Sequence, residues 1–201
     1  MIPGYDAETA LPGDAGQGHY RGMEHVIRRV RAEEWAKARD LRLEALQDPL
    51  APIAFYESYE QALGKPDSHW QERTSSAAAG VDVVQFVAEA ADGRWDGTAS
   101  VLVEHKGSAR IGRPAQVEQT HVVGVFMRQE ARGSGLAEGL FRAALEWSWA
   151  LDSPPVERVR LLFHSDNARA AALYRKVGFV PSGASTPVPD DEMALEYEIR
   201  R

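Results

Sequence analysis

The 201-residue chain contains no cysteine. Disulfides, zinc–thiolate sites, iron–sulfur clusters and a cysteine nucleophile are therefore excluded. A reducing compartment fits this composition, and a cytoplasmic location is expected. Positive charge is in deficit, with 23 Lys and Arg against 30 Asp and Glu and a net charge of -7. A nucleic-acid backbone would be repelled on average, so nucleic acid is not an expected partner, and a cationic substrate suits the balance better. No apolar run reaches transmembrane length. The first residues lack a basic start followed by an apolar stretch, so neither a membrane partner nor a secretory signal is expected. What remains is 44% hydrophobic and 26% charged, an ordinary globular composition long enough for one good core.

Residues 1–23 are rich in glycine, carry Pro3 and Pro12, and hold little that could be buried, which predicts a flexible extension ahead of a single domain over 24–201. "HVIRRVR" (25–31) has strand character, and "AEEWAKARDLRLEAL" (32–46) places Trp35, Ala38, Leu41 and Ala45 on one helical face. Asp48-Pro49 and Pro52 predict the end of that helix. Shorter helices are expected over 53–63 and 67–75, with Asp67 as a cap for the second. "VDVVQFVAEAADGRWDGTASVLVEH" (81–105) reads as a hairpin, and 116–127 as a further strand after a turn-rich connection. A helix to about residue 150 follows, with Leu136, Leu140, Ala144, Trp147 and Leu151 as its buried stripe. Then come a strand (156–164), a helix over 167–177 capped by Asn167 and ended at Gly178, and a strand over 192–200 turning Met193, Leu195, Tyr197 and Ile199 inward. The pattern predicts a mixed α/β (α+β) domain, antiparallel strands first and strand–helix–strand–helix after them.

Between the strand ending at Met127 and the next helix lies "RQEARGSGL" (128–136). Glycines at a helix N-terminus leave backbone N–H groups open to an anion. A P-loop needs Gly-Lys-Ser/Thr after the turn, and here Gly135 is followed by Leu136-Ala137. A dinucleotide turn leaves its strand directly at the glycines, whereas polar "RQEAR" intervenes here. Ser134 is not a hydrolase nucleophile, because G-x-S-x-G would need glycine where Arg132 stands. His164 and Asp166 find no third ligand at sensible spacing, so no metal is expected.

The dinucleotide reading stays open as a lesser alternative, and a third candidate anion, the pyrophosphate of coenzyme A, comes from a family resemblance. "VGVFMRQEARGSGLAEGLF" resembles the acyl-CoA signature of the GNAT superfamily of N-acyltransferases, Q/R-x-x-G-x-G/A, through Arg132, Gly135 and Ala137. "NARAAALYRKVGF" (167–179) resembles its second signature, N-x-x-A-x-x-LY-x-x-x-GF, through Asn167, Ala170, Leu173, Tyr174, Gly178 and Phe179. Glu130 departs from the pattern, where many relatives place proline near the turn; it is expected to point into solvent. The resemblance implies a mostly antiparallel central sheet flanked by helices, with a splay between the fourth and fifth strands. It implies acetyl-CoA as cosubstrate and transfer to a small amine or peptide amine by direct attack. It also leaves open a CoA-binding regulator without turnover, and a homodimer.

By that resemblance, the backbone of Arg132, Gly133, Ser134, Gly135, Leu136 and Ala137 holds the pyrophosphate. Val125, Phe126 and Met127 pair with the pantetheine, with Asn167 and Ala170 beside it. Asn167 also has the plainer reading of a helix cap, and Tyr174 that of a buried structural tyrosine. The resemblance makes Tyr174 the group that meets the departing thiolate, and Glu118 the leading candidate for a base acting through water, ahead of His121, Glu57 and Glu60. Phe55, Tyr56, Tyr59 and Trp70 are candidates for an acceptor pocket, and the 181–189 loop is expected to help shape it.

Overall fold

A computed structural model describes residues 19–20, 23–108, 110–188 and 192–201. Most of the extension expected over 1–23 lies outside the described residues. Its described part is strand: β1 (His19–Tyr20) pairs with β2 (Met23–Arg29). The helix read over 32–46 opens as a short 3-10 turn (Ala32–Glu34) and continues as α1 (Trp35–Leu46), which stops ahead of Pro49. Pro52 does not end it but sits in the first turn of α2 (Ala51–Ala54), where a missing N–H costs nothing.

The single helix expected over 53–63 is two. Phe55 is extended after α2, and Ser58 starts α3 (Tyr59–Leu63) with a capping box, its hydroxyl accepting from Gln61 N–H at 3.2 Å and Gln61 Oε1 accepting from Ser58 N–H at 2.9 Å. Helix α4 (Asp67–Ala79) runs four residues past the expected end, until Gly80 takes a left-handed φ of 66°. Its N-cap is Pro66, so Asp67 is a first-turn acid and not the cap.

Strands β3 (Val83–Ala90) and β4 (Trp95–Glu104) form the expected hairpin. Strand β5 (Gln119–Met127) pairs antiparallel with β4 and parallel with β6 (Arg158–His164). A parallel neighbour needs a crossover, and α5 (Leu136–Trp149) supplies it. Helix α6 (Ala168–Lys176) leads to β7 (Val180–Val188) and β8 (Glu192–Arg200). The eight strands lie in the order β1-β2-β3-β4-β5-β6-β8-β7. Because β1 precedes the strand at 23–29, the fourth and fifth strands of the sequence reading are β5 and β6.

Two layers cover the sheet. On one face α5 buries Leu136, Leu140, Phe141 and Ala144 against Val84, Phe86, Val101 and Val122. Phe141 and Ser148 complete the buried stripe, and Trp147 is only partly covered. On the other face α1 and α4 pack Ala38, Leu41, Ala45 and Ala77 against Val87, Trp95 and Phe126. Further along that face four strands contribute a buried polar cluster. Arg160 donates to Glu104 at 2.8 and 2.9 Å and to Glu196 at 2.9 Å, and its guanidinium also donates to the Ile111 carbonyl in the 105–118 connection. Strand β8 is therefore covered on both sides: Ala194 and Glu196 are buried as well as Tyr197, where simple alternation predicted one wet face.

Candidate active site

The site begins where β5 breaks step. Ser100 of β4 faces Val123 and Thr98 faces Phe126, so three residues of β5 advance against two of β4. Such a one-residue bulge needs an unusual backbone, and Gly124 provides it with φ 61°. On its other side β5 pairs with β6 only from Gln119↔Arg158 to Val122↔Leu161. Beyond that rung β5 continues to Met127 and β6 to His164 without pairing. The strands splay, and their unpaired backbone faces a cleft of about 570 Å³.

Val125, Phe126 and Met127 line that cleft, as do Arg132, Gly133, Gly135 and Ala137. The turn is built for an anion. Gly133 and Gly135 have φ of 80° and 94°, and a Cβ at Gly133 would meet nothing within 4 Å. Among the described residues, the N–H groups of Gly133, Ser134, Gly135 and Ala137 reach no protein acceptor. The Arg132 side chain is already engaged, donating to the Met127 carbonyl at 3.0 Å and ion-paired with Asp48. It therefore braces the turn, leaving the backbone to face the ligand. Arg169 adds positive charge to the same cleft, and Lys176 lies there paired with Glu138. Ser134 and Leu136 do not line it: Ser134 Oγ donates to the Ala131 carbonyl at 2.6 Å, and Leu136 is wholly buried in the core.

Helix α6 supplies the opposite wall. Asn167 Oδ1 accepts from Ala170 N–H at 3.0 Å, so the cap reading holds while Asn167 and Ala170 also line the cleft. Tyr174 lines it too, packed edge-on against Phe163 and Phe141 with centroids 5.3 and 5.5 Å away. Burial pushes its phenol up to about 12.

The structure does not bring every candidate together. Glu118 precedes β5 at the end remote from the splay, accepting from Lys106 N–H at 3.1 Å and bonded to His105 at 2.9 Å, and it does not line the cleft. His121 is buried against Glu104 at 3.1 Å, and burial pulls its pKa down although Glu104 works against that. Glu57 is held by Arg42 and Lys65, and Glu60 lies in the first turn of α3. Phe55 and Tyr56 reach the cleft, whereas Tyr59 packs on a small core with buried Trp70. The 181–189 stretch is not a pocket loop: Val180–Val188 is edge strand β7, outside the cleft, and 189 lies outside the described residues. Glu130 is half exposed and pairs with Arg94 at 3.0 Å.

Sequence reasoning missed Gly124, although a lone glycine inside an apolar strand is the usual mark of a bulge. It also missed the wall formed by Pro52 and Ile53 of α2, which no local pattern ties to β6. Among the described residues there is no cluster of metal-ligating side chains, and no helix is long and apolar enough to cross a membrane.

A bulged strand splayed from its parallel neighbour, with a glycine turn and a helix N-terminus beyond it, is the architecture of acyl-CoA acetyltransferase domains. The sequence profile of the Acetyltransferase (GNAT) family matches residues 53–179, and the chain belongs to that family. The GNAT-family acetyltransferase of Streptococcus pneumoniae superposes with a TM-score of 0.69 at 16% identity, covering 89% of this chain and 100% of that one. PaiA N-acetyltransferase of Thermoplasma acidophilum, solved with coenzyme A, gives 0.63 at 14% identity over 88% of this chain and 100% of that one. A mycothiol acetyltransferase of Saccharomonospora viridis is 40% identical over 95 residues, 47% of this chain; the match spans only 29% of that relative.

Proposed function

We propose that the protein transfers an acetyl group from acetyl-CoA to a primary amine by direct attack. The observation that carries this reading is the convergence of two unsatisfied backbone surfaces on one cleft: the splayed edge of β5 and the open amides of the 133–137 turn. The first suits an extended chain carrying amides, which can pair with it as an added strand would. The second suits a diphosphate. A molecule with a diphosphate at one end and amides leading to a thioester at the other matches both.

In this reading the amine nitrogen attacks the thioester carbon, a C–N bond forms, and the C–S bond breaks. A backbone N–H near the bulge at Val125–Met127 stabilises the tetrahedral oxyanion. The leaving thiolate meets the Tyr174 hydroxyl. A phenol held at about 12 keeps its proton against a thiol of ordinary pKa near 8.5. Proton transfer to a thiolate of ordinary pKa is uphill for such a phenol, so Tyr174 acts as a hydrogen-bond donor and solvent completes the protonation. The two acids lining the cleft, Asp48 and Glu138, are paired with Arg132 and Lys176. His164 also lines the cleft, its Nδ1 accepting from Asp166 N–H at 3.1 Å. With these groups engaged, no side chain is assigned as base and the amine gives its proton to solvent.

The test is calorimetric titration with CoA and with NAD, followed by incubation with acetyl-CoA and an amine panel while free thiol is measured. CoA binding with amine-dependent thiol release is expected. CoA binding with no thiol release from any amine would make the protein a CoA-binding regulator, and tighter binding of NAD would overturn the cleft assignment.

A further inference from the structure

A second, smaller recess of about 30 Å³ lies on the α1/α4 face of the sheet. It is lined by Arg42 from α1, Arg73 and Trp70 from α4, Ser100 from β4 and, from the bulge itself, Gly124 and Phe126. The last two also line the main cleft, so the bulge is a wall common to both cavities. A group lodged in the recess would sit against the very stretch of β5 that borders the thioester end of the cleft.

The recess is rich in donors and poor in negative charge. No acid lines it among the described residues. Arg73, exposed on α4, makes no ion pair or hydrogen bond among the described residues. Arg42 is answered by Glu57 at 3.0 Å, but Glu57 is shared with Lys65 and stands outside the recess. Burial pulls the Arg42 guanidinium below its ordinary value, and the like charge of Arg73 adds to the effect. The indole N–H of Trp70 is buried without an acceptor among the described residues. One guanidinium without an ion-pair partner, a second shared with Glu57 and an indole N–H without an acceptor suit an acceptor-only partner, and a carboxylate is a small organic group of that kind. The volume admits one such terminus and excludes a ring or a sugar.

We infer that the recess is an acceptor subsite for a carboxylate, and that the amine acetylated by this protein carries a carboxylate a few bonds from its nitrogen. This rests on the transferase reading of the main cleft and narrows its acceptor to amino acids and their close relatives. It runs against the chain's net charge of -7, which favoured a cationic substrate. Charge summed over a whole surface does not govern one recess.

The test uses the full chain and pairs of amines matched in size, glycine with glycinamide and β-alanine with 3-aminopropanamide. Thiol release from acetyl-CoA is measured for each, along with calorimetric binding of each to CoA-saturated protein. The carboxylate member of at least one pair is expected to be favoured at least tenfold in kcat/KM or in binding. R73Q should erase that preference while leaving KM for acetyl-CoA unchanged, and R73K should restore part of it. Arg73 is exposed, so neither variant threatens the fold. Equal handling of both members, preference for the amides, or no binding of either carboxylate would overturn the inference. Failure to bind CoA would instead strike the transferase reading, and carboxylate binding would then be read on the protein alone.

Discussion

At the residue scale, Tyr174 shows how one environment can serve packing and chemistry together. Its ring is fixed by Phe141, Phe163 and Phe179, which sets the hydroxyl's position without any hydrogen-bond partner being needed. The same apolar surroundings raise its pKa to about 12, so the donor proton is present across the whole working range. Y174F should lower kcat at least tenfold and change KM for acetyl-CoA less than about twofold, because the hydroxyl acts on charge that develops only as the C–S bond breaks. Steady-state kinetics checks this. The sign of the pH dependence follows as well: the active form is protonated, so a raised pKa moves loss of activity to higher pH. The wild-type rate should show no falling limb from this group below about pH 11. A limb near pH 10 that vanished in Y174F would contradict the burial argument.

At the scale of elements, the bulge of β5 does most to make the cleft, and it depends on one backbone angle. Gly124 holds φ 61° with open space where a Cβ would stand, so a Cβ there meets no atom within 4 Å and the cost it brings is backbone strain. G124V should cost about 1–2 kcal/mol of stability. If the strand relieves the strain by losing its bulge, CoA affinity should fall at least tenfold, since β5 would regain the register of its neighbours. Thermal unfolding and calorimetry read the two effects separately. Some of this element was legible in the sequence. The strong helical period of α5 and α6, the Asn167 cap and the two glycine-bearing signatures located both walls of the cleft, because each is a local pattern with a local cause. The rest depends on tertiary placement. Strand β7 reads as a loop because Pro181, Gly183 and Pro187 weaken a strand, yet an edge tolerates them. The resemblance put the cofactor against Val125–Met127, where the splay is, but no local pattern showed that Glu118 lies just before the opposite end of β5, bonded to His105 and Lys106 and outside the cleft.

At the scale of the whole molecule, a chain with an excess of acid buries several of its charges in one cluster under the 105–118 connection. Glu104, without any exposure, accepts from Gln119 at 2.6 Å and from Nε and Nη2 of Arg160, and it meets His121 at 3.1 Å. Burial pushes its carboxyl up, but the bonds from His121 and Arg160 outweigh burial and hold it at about 2. Its folded pKa lies below the ordinary value of 4.5, so its contribution is complete above that value and is lost as pH falls towards about 2. His121 adds to the same trend. Burial pulls it below 6.5, so protons are taken up by the unfolded chain first as pH drops through that value. E104Q would leave Arg160 and His121 without their shared acceptor of charge, while Glu196 still holds one side of Arg160. The expected loss is about 3 kcal/mol at pH 7, readable as a lower urea midpoint with an unchanged slope. The gap between wild type and variant should close progressively from pH 4.5 downward, because acid neutralises in the wild type the charge that the variant already lacks. A gap that stayed constant down to pH 2 would show that the cluster's stability comes from packing and neutral hydrogen bonds, with no share from the carboxylate's charge.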